Sequence, residues 1–318
     1  MQKPEKALIE FSEQLEKDLK KNGIKSFDYN QYRDHEIIGR GGCAVVYSAS
    51  FNTEKHALKS LNNNLSFDEK ALKRVRRELK LHYEVEHSNV IKFFGISRCT
   101  QMGNFMLVLE FADSGNLRDY LKKKHVKDIY KISWTELIRI AKEITLGLTY
   151  LHSKNIIHRD LHSNNILINN GRALISDFGI SKQLNDTTAS SSVMMGVPAY
   201  IDPQYLKNGH KLDMKSDIYS LGVLFWELTS GIPPFFNIPE MAIILEILNN
   251  NREKIIDSTP LNYSNLYKKC WASEPQQRPT LNEISIELEN LSSETTIEFI
   301  TNTICKDNQK NLQVTTSN

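Results

Sequence analysis

Three oxygen-bearing side chains border a predicted hairpin near the middle of the chain. Asp160 and Asn165 precede the apolar run Ile166–Ile168, and Asp177 follows the apolar run Ala173–Ile175. An Asn-Gly turn separates the two runs, and this dipeptide between β-forming residues is a strong hairpin signal. The hairpin should present the three side chains at one edge, where their oxygens could bind a hard cation beside a hydroxyl nucleophile. The alternative interpretation is a polar hairpin edge without chemistry.

A second group of candidate residues lies earlier in the chain. Gly39, Gly41 and Gly42 precede a β-branched pair, and a further strand ends at Lys59. The glycines predict the tip of a hairpin, because a dinucleotide-binding turn would lead directly into a helix. Without side chains, they would let backbone N–H groups approach a polyphosphate. Lys59 could neutralise such a phosphate if an anionic partner held it, or it could be a solvated strand end.

The spacing of apolar residues predicts the elements that position these groups. Strands are predicted at His35 to Ile38, Val90 to Phe94 and Phe105 to Leu109, and an amphipathic helix is predicted before residue 30. Recurrence at three and four residues predicts further helices, which are Asp68–Glu86, Thr135–Ser153, one containing Asp217, Pro239–Asn249, Asn262–Trp271 and Thr280–Leu291.

The amino-acid composition limits the classes of partner and site that we expect. The 318 residues carry 40 Lys and Arg against 38 Asp and Glu, so the formal charge of +2 indicates neither a nucleic-acid nor a membrane partner. The four cysteines, Cys43, Cys99, Cys270 and Cys305, show no Cys-x-x-Cys spacing, which argues against a structural zinc site and a disulfide framework. Neither a signal peptide nor a membrane span is predicted. We therefore expect a cytoplasmic protein.

The run His158-Arg159-Asp160-Leu161, with Asn165 and then Asp177-Phe178-Gly179, resembles the catalytic and metal-binding loops of protein kinases. The glycine-rich segment resembles the kinase glycine-rich loop, with Ala44 in place of the third glycine. The resemblance implies an α+β, bilobal protein-kinase fold, with a small β-rich N-lobe carrying one regulatory helix and a larger, mainly α-helical C-lobe. The implied divisions are a helix and lead-in at 1–32, a kinase domain at 33–293 with lobes at 33–110 and 113–293, and a disordered polar tail at 294–318.

The resemblance also implies roles for the candidate residues. Asp160 would orient and deprotonate the substrate hydroxyl, whereas Asn165 and Asp177 would hold Mg²⁺ across the phosphates of ATP. Lys59 would steady those phosphates and pair with Glu78. The implied ATP-binding residues are Ile38, Gly39, Gly41, Gly42, Val46, Ala57, Lys59, Glu110, Ala112 and Leu167.

Other positions match structural residues of the family. Asp217 would anchor the catalytic loop from below. Gln204 stands where kinases have the Glu of Ala-Pro-Glu, so Arg278 would meet a neutral amide and keep hydrogen bonding without an ion pair. His82 stands where an apolar residue normally stacks against Phe178, a departure that could loosen the active arrangement.

The segment 180–195 is rich in hydroxyl residues and lacks apolar periodicity. In the family, an arginine at the position of Arg159 binds a phosphate on this loop, and a phosphoryl group would add charge-assisted bonds that order it. We therefore expect a phosphorylation switch. The candidate acceptors are Thr187, Thr188, Ser190, Ser191 and Ser192.

The acceptor class is indicated by departures near Asp160. His162 replaces the lysine common in serine/threonine kinases and is itself a candidate catalytic residue, and Val197 replaces the threonine that normally contacts that lysine. The closest likeness is to the tyrosine-kinase-like group, which implies transfer to serine and threonine of a protein substrate. A tyrosine or dual-specificity kinase and a catalytically weak nucleotide-binding scaffold are the alternatives, and the oligomeric state stays open. The scaffold interpretation is motivated by Ala44, His82, His162, Val197 and Gln204.

Overall fold

The computed structural model describes residues 21–40, 44–60, 79–99, 104–177, 182–183, 197–293 and 297–303, together with the single positions 17 and 19. The chain divides into two compact units. One contains residues 1–114 and 169–179, and the other contains residues 115–168 and 180–318. The first division therefore falls at residue 114, close to the predicted lobe boundary.

The first unit is built on a six-stranded sheet. Its strands are β1 Ser26–Asp28, β2 Tyr32–Arg40, β3 Val45–Phe51, β4 Glu54–Ser60, β5 Phe93–Cys99 and β6 Asn104–Glu110. They are ordered β1-β5-β6-β4-β3-β2, and only the β1–β5 pair is parallel. The predicted start of a strand at Val90 is wrong, because β5 begins at Phe93 and Val90 forms only an isolated bridge with Ile175.

One face of this sheet carries the core of the first unit. The core cluster consists of Phe27, Tyr32, Ala49, Leu58, Met106 and Val108. Because successive side chains of a strand point to opposite faces, burial of Leu58 turns its neighbours Ala57 and Lys59 to the other face. Residues 79–84 are helical, whereas the earlier part of the predicted Asp68–Glu86 helix lies outside the described residues.

The second unit is mainly helical. Its helices are α1 Leu117–Lys122, α2 Trp134–Ser153, α3 Pro203–Asn208, α4 Met214–Ser230, α5 Glu240–Leu248, α6 Leu261–Cys270 and α7 Leu281–Ser292. The bounds of α2, α5, α6 and α7 agree with the predicted ones to within a residue at each end. Helix α4 is deeply enclosed, since every residue from 216 to 230 is buried.

Short strands complete the chain. They are β7 His125–Val126, β8 Ile129–Ser133, β9 Ile156–Ile157, β10 Ile166–Asn169, β11 Arg172–Ile175, β12 Lys182–Gln183 and β13 Phe299–Thr303. Strands β10 and β11 occupy the predicted hairpin runs, and Asn170 and Gly171 between them have φ angles of 50° and 74°. The positive angles explain the Asn-Gly pair, because these two residue types tolerate the left-handed region.

Strand β13 lies inside the segment that the sequence predicts to be a disordered tail. It pairs with β8 along five residues, and Ile300, the second residue of the strand, is fully buried. The prediction of disorder is therefore wrong for Phe299–Thr303. The segment lacks apolar periodicity, but pairing with the distant strand β8 and burial of one apolar residue hold it in place.

The structure confirms the predicted α+β class, with one β-rich unit and one mainly helical unit. Within the described part of the chain, no helix is both long and apolar enough to span a membrane. Most of the predicted N-terminal helix lies outside the described residues, although positions 17, 19 and 21 are helical and Leu19 is buried.

Candidate active site

Strand register in the first unit brings the predicted nucleotide-binding residues onto one face of the sheet. Val46 lies opposite both Gly39 on β2 and Lys59 on β4. Ala57 is two residues before Lys59 and therefore shares its face. Gly41 and Gly42 lie outside the described residues, and Ile38 beside Gly39 is half exposed. The face opposite the core thus carries small and basic side chains that are predicted to bind the nucleotide.

Lys59 forms an ion pair with Asp177. Its Nζ lies 3.0 Å from Asp177 Oδ1, with the lysine nearly buried and the aspartate partly exposed. Asp177 has a φ of 63°, a left-handed conformation that is costly for a residue with a side chain and that clusters at functional sites. The predicted partner Glu78 lies outside the described residues, so the Lys59–Glu78 pair stays a prediction.

His82 is buried close to this ion pair. Only 3% of the residue is exposed, and its ring packs against Phe93 at 5.6 Å between centroids. Burial, followed by the positive charge of Lys59, lowers the pKa of His82 to about 3, although Asp177 opposes the shift. His82 is therefore a neutral, apolar-like residue at physiological pH. Its predicted neighbour Phe178 lies outside the described residues.

His82 should make the first unit acid-sensitive. An unfolded histidine binds a proton near pH 6.5, whereas the buried ring does so only near pH 3, so stability is lost as pH falls between these values. From pH 7.5 to pH 5, this single group should cost about 2 kcal/mol of unfolding free energy. We expect His82→Leu to remove that part of the pH dependence, as measured by urea unfolding at both pH values.

The exposed His210 in the second unit provides the matched control. His210→Leu should keep the wild-type pH dependence of stability. An identical loss between pH 7.5 and pH 5 in wild type and His82→Leu would contradict the assigned pKa of His82.

Glu110 ends strand β6 and is one of the residues predicted to bind ATP. Its Oε1 accepts hydrogen bonds from Asn169 Nδ2 at 2.7 Å and Arg172 Nη2 at 3.2 Å, and its backbone N–H donates to Lys92 O at 2.9 Å. The Glu110 side chain therefore binds the last residue of β10 and the first residue of β11, on either side of the turn between them. The predicted role of Glu110 and Ala112 in binding ATP stays a prediction.

In the second unit, Asp217 on α4 holds the predicted catalytic loop through hydrogen bonds to its backbone. Asp217 Oδ2 accepts from His158 N at 2.9 Å and from His152 Nε2 at 2.8 Å, and its Oδ1 accepts from Arg159 N at 2.8 Å. Arg159 has a φ of 70°, and the buried carboxylate holds this strained residue in place. The predicted anchoring position of Asp217 agrees with these contacts.

Two loop residues orient Asp160. Asn165 Nδ2 donates to the backbone oxygen of Asp160 at 2.8 Å and to its Oδ2 at 3.2 Å. His162 Nδ1 accepts from Asn164 N at 3.2 Å, so the proton of the neutral ring lies on Nε2, which faces Asp160 Oδ1 at 3.5 Å. The amide oxygen of Asn165 is a ligand type that suits a hard cation.

The donor set fits magnesium better than a metal that proteins enclose completely. Among the residues that the structure describes, no group of three or more His, Cys, Asp or Glu side chains could hold a metal ion. Mg²⁺ usually binds through one or two protein oxygens together with substrate phosphates. Asn165 and Asp177 each carry an oxygen ligand of that kind.

A buried polar cluster beside the catalytic loop was not predicted. Arg118 Nε donates to Ser163 Oγ at 2.9 Å and to Glu227 Oε1 at 3.2 Å, and its Nη2 donates to Tyr200 OH at 3.0 Å. Ser163 and Tyr200 also donate to Glu227. Burial raises the pKa of Glu227, whereas Arg118 and the hydrogen bonds oppose the rise. A lone acid within the apolar run of α4 was the signal that could have revealed this cluster, because a buried carboxylate needs partners.

The predicted pairing of Arg278 with Gln204 is wrong. Arg278 instead forms a bidentate ion pair with Asp202, with Nη1–Oδ2 at 2.6 Å and Nη2–Oδ1 at 2.9 Å, and both side chains are almost fully buried. Gln204 Nε2 turns to Ser273 O and Glu274 Oε1. The charge pair therefore survives, because an acid two residues before Gln204 supplies the carboxylate.

The five candidate phosphorylation sites between Thr187 and Ser192 lie outside the described residues. Arg159, which would bind a phosphate on that loop, is partly buried beside Asp217. The switch thus stays a prediction at this point.

The chain is similar in sequence to known protein kinases. The family described as "Protein kinase domain" matches residues 32–316. The chain is 32% identical over 280 residues to pats1 of Dictyostelium discoideum, whose name marks it as a serine/threonine-protein kinase, covering 82% of this chain and 8% of that protein. It is 31% identical over 268 residues to mitogen-activated protein kinase kinase kinase 13-A of Xenopus laevis, covering 84% and 26%.

A third relative, serine/threonine-protein kinase dst1 of Dictyostelium discoideum, is 30% identical over 258 residues, covering 80% of this chain and 34% of dst1. The matched region thus spans about a third or less of each of these relatives.

Proposed function

Because this chain belongs to the protein kinase family and resembles its tyrosine-kinase-like group, we propose that it transfers the γ-phosphoryl group of ATP to serine and threonine hydroxyls of protein substrates in intracellular signalling. One observation carries the proposal. Asn165 donates a hydrogen bond to the backbone oxygen of Asp160, and His162 Nε2 lies 3.5 Å from Asp160 Oδ1. Buried Asp217 accepts hydrogen bonds from the backbone of the same loop. A carboxylate held in this way is suited to accept a proton from an acceptor hydroxyl.

The remaining roles follow from this assignment. Lys59 would hold the phosphates of ATP, and Asn165 and Asp177 would hold Mg²⁺, which supplies charge neutralisation during transfer. Asp177 already faces Lys59 at 3.0 Å, so the carboxylate and the ammonium are close enough to act on one polyphosphate. Positioning and electrostatics carry this chemistry, which explains why no nucleophilic Ser–His or Cys–His pair is needed.

The proposal includes the acceptor class, the domain limits and the location. Serine and threonine are favoured because the relatives named above are serine/threonine kinases or kinase kinase kinases. The kinase domain is assigned to residues 33–293, preceded by a helix, in a cytoplasmic protein. Transfer to tyrosine is the second candidate, since His162 and Val197 depart together from the usual serine/threonine pattern.

Radiolabelled ATP with Mg²⁺ and a generic protein acceptor tests the proposal. We expect label in phosphoserine and phosphothreonine after acid hydrolysis, and none with the Asp160→Asn variant as control. Label in phosphotyrosine alone would transfer the assignment to the second candidate. Nucleotide binding without any label in the acceptor or in the chain itself would instead support the scaffold interpretation.

We further propose that the five hydroxyl residues between Thr187 and Ser192 control activity through phosphorylation. A phosphate there would form charge-assisted hydrogen bonds with Arg159, which immediately precedes Asp160. Phosphatase treatment should lower the transfer rate by about tenfold or more. A variant with all five residues exchanged for alanine should start low and not respond to phosphatase.

A variant with Ser292 and Ser293 exchanged for alanine serves as the control for this experiment, and it should respond as the wild type does. Full activity of both the treated protein and the five-alanine variant would contradict a switch in this loop.

A further inference from the structure

Strand β13 is held along both of its edges. On one edge, residues Phe299–Thr303 pair antiparallel with Ile129–Ser133, and Trp134 N donates to Glu298 O at 3.0 Å beyond the ladder. On the other edge, the Ser258 hydroxyl donates to Thr301 O at 2.8 Å and accepts from Thr301 N at 3.0 Å. The strand therefore occupies a slot, because hydrogen-bonding groups meet its backbone from two sides.

The slot also recognises side chains. Ile300 points inward and is fully buried, and Asn302 Nδ2 donates to Ser230 O at 2.8 Å at the end of α4. Phe299 on the outer face lies under the Lys131 ammonium at 3.7 Å from the ring centroid. Because strand side chains alternate, an apolar residue and an amide two positions later fix both the face and the register.

The receiving surface is built from elements other than β13. Tyr130 on β8 is fully buried, and its hydroxyl donates to Leu228 O at 2.8 Å. Its ring packs so closely on Gly231 that a Cβ there would clash with it. Strand β7 precedes β8 in the chain and pairs antiparallel with it. Lys127 and Asp128 form the turn between them, and both have positive φ. These contacts fix β8 in place, so its edge would face solvent as an unpaired strand edge without β13.

We propose that this slot is a docking site for an extended peptide segment, filled in the described structure by the chain's own residues 297–303 and able to accept the same residues of a second copy. All recognition resides in one short stretch, as in peptide binding by strand addition. Only residues 294–296 connect it to the preceding helical turn, and short connections favour exchange of an element between copies. The inference concerns binding and does not depend on phosphoryl transfer.

The test uses the full chain with a protease site inserted between Ser293 and Ile297. After cleavage, a fluorescent peptide with the sequence of residues 297–303 is added, and its uptake is followed by anisotropy. We expect saturable uptake that excess unlabelled peptide reverses. A peptide carrying Ile300→Asp should bind about tenfold or more weakly, whereas Thr303→Ala, on the exposed face, should bind within about twofold of the original.

A second measurement covers the case in which cleavage unfolds the protein. Deletion of residues 294–296 in the uncut chain should prevent the strand from reaching its own slot and produce a dimer in sedimentation. Adding Ile300→Asp to that deletion should return the monomer. Equal uptake of the two peptides, no uptake by a folded cut protein, or a folded monomeric deletion variant would each overturn the proposal.

Discussion

Asp160→Asn is expected to lower the rate of phosphoryl transfer by about 10²- to 10⁴-fold while leaving ATP affinity near that of the wild type. Asparagine preserves the shape of the side chain and can still accept from Asn165, but it cannot take a proton from the acceptor hydroxyl. The measurement is the transfer rate at saturating ATP, together with nucleotide affinity by fluorescence titration.

Lys59→Met is the matched comparison for this variant. It removes the ammonium that faces Asp177 at 3.0 Å, so both phosphate alignment and nucleotide affinity should suffer. The two variants thus separate acceptor activation from phosphate binding. Wild-type turnover in Asp160→Asn would show that Asp160 is not the base, and the proposed function would lose the observation on which it rests.

Arg278→Met is expected to destabilise the second unit by about 3–5 kcal/mol. The substitution leaves the carboxylate of Asp202 buried without its bidentate partner. It also removes guanidinium bonds to the backbone oxygens of Ala272, Lys215 and Ser273. Urea unfolding measures the change. Gln204→Ala is the control and should cost under about 1 kcal/mol, since its longer bonds to Ser273 and Glu274 are partly solvated.

The same ion pair sets a pH dependence. Burial raises the pKa of Asp202, but hydrogen bonds and charge from Arg278 outweigh that effect and hold the pKa below its ordinary value. A carboxyl with a depressed pKa contributes stability above its unfolded pKa of about 3.9 and loses it as pH falls through the folded value. The difference between wild type and Arg278→Met should therefore shrink in acid. A constant difference from pH 7 to pH 3 would contradict this account.

Local signals in the sequence were sufficient for the long helices and for the turn between β10 and β11. The periodicity of the long helices gave α2 within a residue of its observed ends, and the Asn-Gly dipeptide placed the turn between β10 and β11. The resemblance to protein kinases implied the anchoring role of Asp217, and its bonds to His158 and Arg159 agree with that role. The helix and the turn were predictable because each depends on residues that are neighbours in the sequence. The contacts of Asp217 join segments 58 and 59 residues apart, so their prediction needed the family resemblance.

Pairings between distant segments were not predictable in this way. The family motif aligned Arg278 with Gln204. In the structure, however, the guanidinium of Arg278 binds both carboxylate oxygens of buried Asp202. Strand β13 has a single buried side chain, so its affinity for β8 is invisible in a window of its own sequence. Arg118 likewise has no local mark that separates it from a solvated helix residue.

The enclosure of helix α4 has a consequence for hydrogen exchange. The amides of His158 and Arg159 belong to no regular element, and loop amides ordinarily exchange with solvent through small local openings. Here both are bonded to a carboxylate that lies on a helix with no exposed residue from 216 to 230. Releasing either amide while the helix stays packed would leave a buried charge short of donors. These two protons should therefore exchange as slowly as the amides of helix α4, which makes this part of the catalytic loop belong to the same cooperative unit as that helix.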